Sequence, residues 1–445
     1  VKVLHAPFCF YPDPAGGTEV YVKSLCDALH LLGLEVVVAA PAEQNAFYSY
    51  ENIPVRRYAI ASQIDDVSAI YGLGDAEAAA NFAHILDDEK PDIVHLHALT
   101  RGVSVLVARE AKRRGIPVVL TYHTPTVSCP RGTLLRWGSE VCDGHLLPGR
   151  CTRCKLNDLG LSRAVSAAIS LVPPSVGKQI GRWGKSGSLW TGLRMPELVR
   201  LRQNTFFAMA EEADRIVALC EWTRALLTLN GIAKEKVTLC RHGLLSTLYS
   251  ESAASEIISP NKGQLRLAFL GRIDSSKGIH VILEALSNQR TVTLDVYGTL
   301  QAGGEAYQRK LLELIGSRSH IRFLPPIANV QVIPTLREYD ALVVPSQVLE
   351  TGPLVVLEAF AAGIPVIGSN LGGIAELVQH EVNGLLVEPA SSISAWQNTL
   401  QRLIDDAALI THLREAIKPP RTMAIVADEM RQLYISMLPP NANYV

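Results

Sequence analysis

Short apolar runs alternate with stretches of helical period along almost the whole chain, and few folds tolerate that pattern. VKVLHA (1–6) leads into a helical stretch at 18–32 that stops at Gly33, and EVVVAA (35–40) follows. DIVHLHA (92–98) leads into VSVLVAREAKRRG (103–115) and then IPVVLTYH (116–123). An apolar run too short for a helix, followed by an amphipathic one and another run, reads as β-α-β with a right-handed crossover and a parallel sheet. The rhythm breaks near 129 and resumes near 214 with DRIVALC.

It breaks again at STLYSESAASEIISPNKG (246–263), where apolar periodicity vanishes and serine accumulates. That composition reads as a linker. A second series follows: LRLAFLG, a helix from about 278, TLDVYG, a helix from about 305, DALVVPS, a helix from 353, IPVIGS, and a helix from about 373. A chain of 445 residues exceeds what one core serves. The expectation is α/β, with two doubly wound Rossmann-like domains facing a cleft and ligands at the carboxyl ends of the strands. The boundaries read as 1–245 with an insert at about 125–210, the linker 246–263, a second domain 264–420, and a C-terminal helix at 421–445 packing back on the first domain.

The stretch 346–368, SQVLETGPLVVLEAFAAGIPVIG, is almost wholly apolar yet carries Glu350 and Glu358. A buried unpaired carboxylate costs several kcal/mol, so each acid needs a partner. With Gly352 or Thr351 as cap and Pro353 in the first turn, a helix places Glu350 in the preceding loop and Glu358 about a turn and a half inside. Free N–H groups at that helix start suit a phosphate. A ribose diol then satisfies Glu358 and sugar hydroxyls meet Glu350; pairing of Glu358 with a buried arginine is the plainer alternative. GRIDSSKG (271–278) puts Arg272 and Lys277 at a strand end, placed to neutralise a diphosphate or merely to solvate a turn. In SNLGGIAE (369–376), Gly372 and Gly373 allow close approach of backbone to a ligand, though alone they signal only a turn. No GxGxxG follows a strand, so a dinucleotide fold has only weak support.

GRIDSSKG, PSQVLETGPLVVLEA, GIPVIGSNLGGIAELV and NGLLV, in that order, resemble the second domain of the retaining glycosyltransferases of family 4, which have the GT-B fold. AGGTEVYVKSLCDAL, PDIVHLHA, GIPVVLTYHT and ADRIVALCEWT resemble the first domain, so the resemblance runs from about 16 to 387. It implies donor-phosphate binding by Arg272 and Lys277, ribose binding by Glu358, and contact of Glu350 with the transferred sugar. It also implies phosphate contacts from the backbone of Gly352, Pro353 and Leu354, with Gly17 near the diphosphate or the acceptor. His123 falls where the family places a residue facing the reaction centre, and Gly16 and Glu19 fall on the acceptor side. His95 and His97 read as structural. The implied catalysis needs no cofactor, and no Asp-x-Asp stands at a strand end to hold a divalent ion. The sequence departs from the family at Gly352-Pro353, at RHGLL (241–245) and at Pro325. A phosphorylase or epimerase on the same plan, and a non-catalytic sugar-nucleotide binder, are the rivals.

Cys129, Cys142, Cys151 and Cys154 lie within 26 residues rich in Gly, Pro and Arg, the last two as C-x2-C. Four thiolates in a loop without its own core suggest a structural tetrahedral zinc; free thiols or a redox pair are the alternatives. A subset of the resembled family has a similar cysteine-bearing loop. Residues 155–202 carry eight bases against two acids, with Trp183 and Trp190 interleaved. That reads as a peripheral membrane surface or a site for an anionic lipid-linked acceptor, or else as a solvated insert. Net charge is −1, which excludes a global basic surface for nucleic acid. No apolar run reaches the ~18 residues of a membrane span, and the N-terminus reads as a first strand rather than a signal peptide. The expected setting is the cytoplasm, at the inner membrane face if peripheral, in the synthesis of a bacterial surface polysaccharide.

Overall fold

The computed structural model describes residues 1–13, 16–63, 67–184, 187–245, 264–300 and 304–440. The expected linker, 246–263, lies outside them. The chain divides into two compact units, Val1–Arg241 with Met423–Val445, and His242–Thr422.

In the first unit, β1 (Lys2–Ala6), β2 (Glu35–Ala42), β3 (Ala46–Tyr50), β4 (Ile53–Ala59), β5 (Ile93–Leu96), β6 (Val118–Tyr122), β9 (Arg215–Ala218) and β10 (Val237–Leu239) form one sheet, ordered β10-β9-β6-β5-β1-β2-β4-β3. Every pairing is parallel except β3 with β4. The alternation in the sequence predicts only parallel strands, so β3 is a correction. Its cause is local: Glu51 and Asn52 hold positive φ of 46° and 68°, a two-residue turn too short for a crossover. Leu4, Val94, Leu96, Val118 and Leu120 are fully buried in the core beneath this sheet. Each such side chain contributes roughly 1.5–3 kcal/mol of burial. The helix Met423–Ser436 belongs to this unit and packs along the helix Gly17–Leu31.

Between β6 and β9 the chain makes its excursion. A hairpin of β7 (Leu135–Arg136) and β8 (Glu140–Val141) is followed by helices Pro148–Asp158, Arg163–Ile169, Pro174–Arg182 and Ser188–Glu212. Leu156, Met195, Leu198 and Val199 give this insert a small core of its own.

The second unit has β11 (Leu265–Leu270), β12 (Val292–Tyr297), β13 (Ile321–Leu324), β14 (Ala341–Val344), β15 (Val366–Ser369) and β16 (Gly384–Val387), ordered β13-β12-β11-β14-β15-β16 and all parallel. Leu267 and Val343 face one buried layer with Trp396 and Leu400, while Ala268 and Leu342 face the other with Val356 and Phe360. That alternation shows a sheet covered on both sides, which is why its strands read as continuous apolar runs. The strand order reverses between β11 and β14, and a sheet of this order leaves a crevice at its carboxyl edge at that switch point.

Candidate functional site

Three loops meet at the carboxyl edge of the second unit's sheet. GRIDSSKG leaves β11, PSQVLETGP leaves β14, and SNLGG leaves β15. Their glycines are there for one another. Gly278 has φ of 71°, and a methyl built on it would sit 1.9 Å from the Pro345 carbonyl oxygen. The Gln347 N–H donates to the Ser276 carbonyl at 2.6 Å, closing the same contact. Gly373 donates its N–H to the Glu350 carbonyl at 2.6 Å, and a side chain at Gly372 or Gly373 would strike the Glu350 backbone. The glycine pair was expected to admit a ligand. It admits the chain's own backbone instead, and so fixes where Glu350 stands.

Lys277 and Glu350, which the sequence assigns to phosphate and sugar respectively, are in direct contact. Nζ lies 2.5 Å from Oε1. The same Oε1 accepts from Ser346 Oγ at 2.8 Å. Both side chains keep some solvent exposure, 21% and 17%. Arg272 is exposed, with its Nε 3.6 Å from Asp274 Oδ2. Asp274 itself caps the following turn, accepting from the Ser276 N–H at 2.8 Å.

The helix after β14 runs Leu354–Ala361. Pro353 is its cap residue, with ψ of 111°, and not a member of the first turn as the sequence suggested. The shift is one position and follows from Pro353 holding an extended ψ. Gly363, φ 75°, ends the element. Pro353 is buried, while Gly352 and Leu354 are partly exposed. The ring of His242 lies against Gly352: a methyl there would meet it at 3.4 Å. Burial lowers His242 to about 4, so the imidazole is neutral.

Glu358 lies inside that helix, half-buried. Desolvation alone raises its pKa to about 7. No hydrogen-bond or ion-pair partner meets its carboxyl among the described residues, and the buried arginine of the plainer alternative is not there. The two glutamates thus differ: Glu350 is held by a lysine and a serine, Glu358 by nothing but its helix.

In the first unit, His123 follows β6 and is 7% exposed. Its Nε2 is 3.0 Å from His97 Nδ1, and His97 Nε2 is 3.0 Å from His5 Nδ1. Tyr21 meets the His123 ring edge-on at 5.1 Å. His95 bonds Thr121 Oγ1 and Tyr434 Oη, both at 2.7 Å, so the C-terminal helix reaches into this network. Burial holds His5 near 3 and His95 and His97 well below their ordinary value, so the cluster is neutral. Ligand atoms of His5, His95 and His97 lie within 4.8 Å of one another. His5 and His97 form a hydrogen-bonded chain behind His123, and His95 stands beside it on Thr121 and Tyr434, leaving His5 Nε2 without a bond among the described residues. His5 and Tyr434 carry no motif, and Ser346 and His242 lie inside quoted stretches without being singled out. Only the period of two that puts His95 and His97 on one face of their strand hinted at the cluster.

Glu19 is 6% exposed and accepts the Gly16 N–H at 2.8 Å, capping the helix Gly17–Leu31; the Cys9 thiol also bonds it. Its position is that of a helix cap rather than of a group presented to an acceptor. Gly17 opens that helix, and a methyl there would meet nothing within 4 Å. Cys129, Cys142, Cys151 and Cys154 all line one pocket of the insert.

Two family models account for most of the chain: a glycosyl transferase 4-like domain over residues 16–243 and glycosyl transferases group 1 over 251–419. The D-inositol 3-phosphate glycosyltransferase of Rhodococcus jostii is 30% identical over 432 residues, 92% of this chain and 80% of that relative. Others of that name, at 28% and 29% identity, are matched over 46% of their length, under half. Among solved structures, a sucrose-phosphate synthase from Thermosynechococcus elongatus superposes with a TM-score of 0.67 at 18% identity, covering 98% of this chain and 99% of that one. An Anabaena protein, Alr3699/HepE, crystallised with UDP-glucose, gives 0.64 at 17%, covering 98% and 99%. The shared fold is GT-B. No helix among the described residues is long and apolar enough to cross a membrane.

Proposed function

The chain belongs to the group 1 glycosyl transferases, and on that premise we propose that it transfers a sugar, with retention at the anomeric carbon, from a nucleoside diphosphate sugar to a glycan or lipid-linked acceptor. The observation that carries this reading is the content of the crevice at the β11/β14 switch point. The loop after β11 carries two cations, Arg272 and Lys277; the helix after β14 starts at Pro353–Leu354 and carries Glu358, a half-buried carboxyl with no partner among the described residues. Cations and helix N–H groups fit a diphosphate. A cis-diol presents two hydroxyl donors, which a carboxylate can accept together. Few ligands other than a nucleoside diphosphate combine those two demands.

Transfer breaks the bond from the anomeric carbon to the phosphate oxygen and forms one to the acceptor oxygen. On the same face, the leaving phosphate takes the acceptor's proton, so no protein nucleophile is required. Negative charge grows on the departing diphosphate, where Arg272, Lys277 and the helix N–H groups stabilise it. These groups serve in place of a divalent ion, and turnover should be indifferent to added Mg2+. Glu350, anchored by Lys277 and Ser346, is positioned to orient sugar hydroxyls and offset positive charge on the ring. His123, at the head of its histidine chain, is the residue that the family resemblance assigns to the donor sugar and reaction centre.

The insert supports a lipid-linked acceptor at the inner membrane face, in surface polysaccharide synthesis. Leu159, Val165, Leu171, Val176, Trp183 and Leu189 are exposed on it among its bases, Lys185 lying outside the described residues. Exposed apolar side chains beside bases suit an anionic lipid surface.

Thermal shift against a panel of nucleoside diphosphates and their sugars, with UDP-glucose first, tests the donor; a specific donor raises the second unit's melting point by mass action. Turnover with lipid-linked glycans or with inositol phosphates then separates the acceptor classes. If Lys277→Ala and Glu358→Ala, both folded, turn over like the parent, the site is misplaced.

A further inference from the structure

We propose that Cys129, Cys142, Cys151 and Cys154 bind one zinc ion that ties the insert together next to the loop carrying His123.

The four come from three separate places in the excursion. Cys129 follows the single turn Pro125–Val127, Cys142 follows β8, and Cys151 and Cys154 stand one turn apart on the helix Pro148–Asp158. All four line a single pocket, and all four are partly exposed free thiols. Residues three apart on a helix project to the same side, which is how C-x2-C presents two ligands together. The other two are delivered by backbone bonds: the Cys129 N–H donates to Pro125 O at 2.8 Å, and the Cys142 N–H to Leu134 O at 2.9 Å.

Four thiolates around Zn2+ leave a net charge of −2, and the pocket has N–H donors for the sulfurs. Arg131, Arg136 and Arg150 line it as well. Each is steadied by an acid: Arg131 by Asp158 at 3.4 Å, Arg136 by Glu140 at 2.8 Å, and Arg150 by Asp143 at 2.7 Å. Guanidinium N–H groups beside thiolate sulfur supply the outer shell that a tetrathiolate site needs.

The segment has little regular structure of its own. Its hairpin strands are two residues each. Between Gly132 and Gly144, five residues hold positive φ, two of them the non-glycines Leu134 and Trp137. Each non-glycine in that region costs roughly 1–2 kcal/mol. An ion that crosslinks hairpin to helix offsets such costs, as in small zinc-dependent folds.

Binding converts four thiols and Zn2+ into a tetrathiolate and four released protons. Zinc–sulfur bonds of ~2.3 Å require sulfurs closer together than they now stand. Ligand-atom spacing within 4.8 Å is met among the described residues by the three histidines and not by these cysteines. The ion therefore has to draw the hairpin onto the helix. Cys129 is six residues beyond His123, and Tyr122 Oη bonds Ser128 Oγ at 2.7 Å, so the crosslink reaches the His123 loop directly.

The test is metal content of the full chain purified without a metal-affinity step, with thiol alkylation followed by mass spectrometry. About one zinc per chain is expected, with these four cysteines protected and then exposed when a chelator removes the metal. Cys142→Ser and Cys151→Ser should each lose the zinc. If those variants fail to fold, chelation of the parent still reports, because protection and melting temperature should fall together. Zinc well below one per chain even after dialysis against a zinc salt, with equal alkylation rates throughout, overturns the proposal. So does a disulfide between any two of the four, or iron and sulfide in place of zinc. Donor binding in the thermal-shift panel is independent of each of these outcomes.

Discussion

Lys277 and Glu350 are 73 residues apart in sequence, and their side chains meet at 2.5 Å on adjacent loops of one crevice. A lysine that is to face a diphosphate is thereby held by a carboxylate that competes with that diphosphate. The pair is partly exposed, so the contact itself contributes little to stability. Its consequence is for binding. Glu350→Gln should leave nucleoside diphosphate affinity unchanged or tighter, since a negative charge beside the lysine is gone, while transfer falls. Lys277→Ala should lose both, with kcat down on the order of 10²–10³ as for removal of one donor to a developing anion. Calorimetric affinities beside turnover numbers check this; weaker diphosphate binding in Glu350→Gln would refute the competition.

Glu358 titrates near 7 in the folded chain against 4.5 for an ordinary glutamate. Between those values the folded state holds a proton that the unfolded state has released, so this group's contribution to stability falls as pH rises from about 4.5 to 7. Glu358→Gln should be neutral at pH 5 and more stable than the parent at pH 8, by up to about 3 kcal/mol. The same variant should bind donor about 10²-fold more weakly at pH 8, through loss of hydrogen bonds to a charged acceptor. Denaturant melts and donor titrations at both pH values measure the two halves. Equal stability of parent and variant at pH 8 would show the carboxyl to be partnered.

His5, His95 and His97 in the first unit, and His242 in the second, are held neutral by burial. Below about pH 6.5 the unfolded chain protonates each of them and the fold does not. His5 and His242 therefore each remove about 1.4 kcal/mol per pH unit from their own unit as pH falls from 6.5 toward about 3 and about 4, and His95 and His97 act in the same direction. His280 and His320 of the second unit are lowered as well but are only partly buried, so with three buried rings against one the first unit should unfold before the second in acid. Calorimetry from pH 7 to 4.5 would resolve the two transitions; a first-unit melting temperature flat across that range contradicts the burial of these rings.

Gly278→Ala should be far more damaging than an ordinary loop substitution. The methyl would sit 1.9 Å from the Pro345 carbonyl oxygen, and φ of 71° is unfavourable for alanine. The β11 and β14 loops must then part, and Lys277 moves off Glu350. Donor binding should be lost with the sheet intact, read by circular dichroism beside thermal shift. Gly17→Ala, whose methyl meets nothing within 4 Å, is the control for fold and should leave stability unchanged.

The alternation of apolar runs with helical periods was enough to read two parallel α/β halves, because strands covered on both faces must be continuously apolar and crossovers must be long. Turn chemistry placed the helix after β14 to within one residue. The sequence put Arg272 and Lys277 at a strand end, Glu350 in the loop before a helix and Glu358 inside that helix, and the elements have those positions. Spacing along the chain could not say which of them touch. That Lys277 finds Glu350 while Glu358 finds nothing depends on which strands neighbour β11, and Gly278 and Gly372–Gly373 decide it by letting backbones approach within hydrogen-bond distance. Nor could spacing show that Glu19 caps its own helix, or that His5, His97 and His123 join across three strands with Tyr434 reaching in to His95. Local propensity and hydrophobic period act between residues a few positions apart and are written into the sequence. Hydrogen bonds between residues separated by 73 or 339 positions exist only once the sheet has set its strand order.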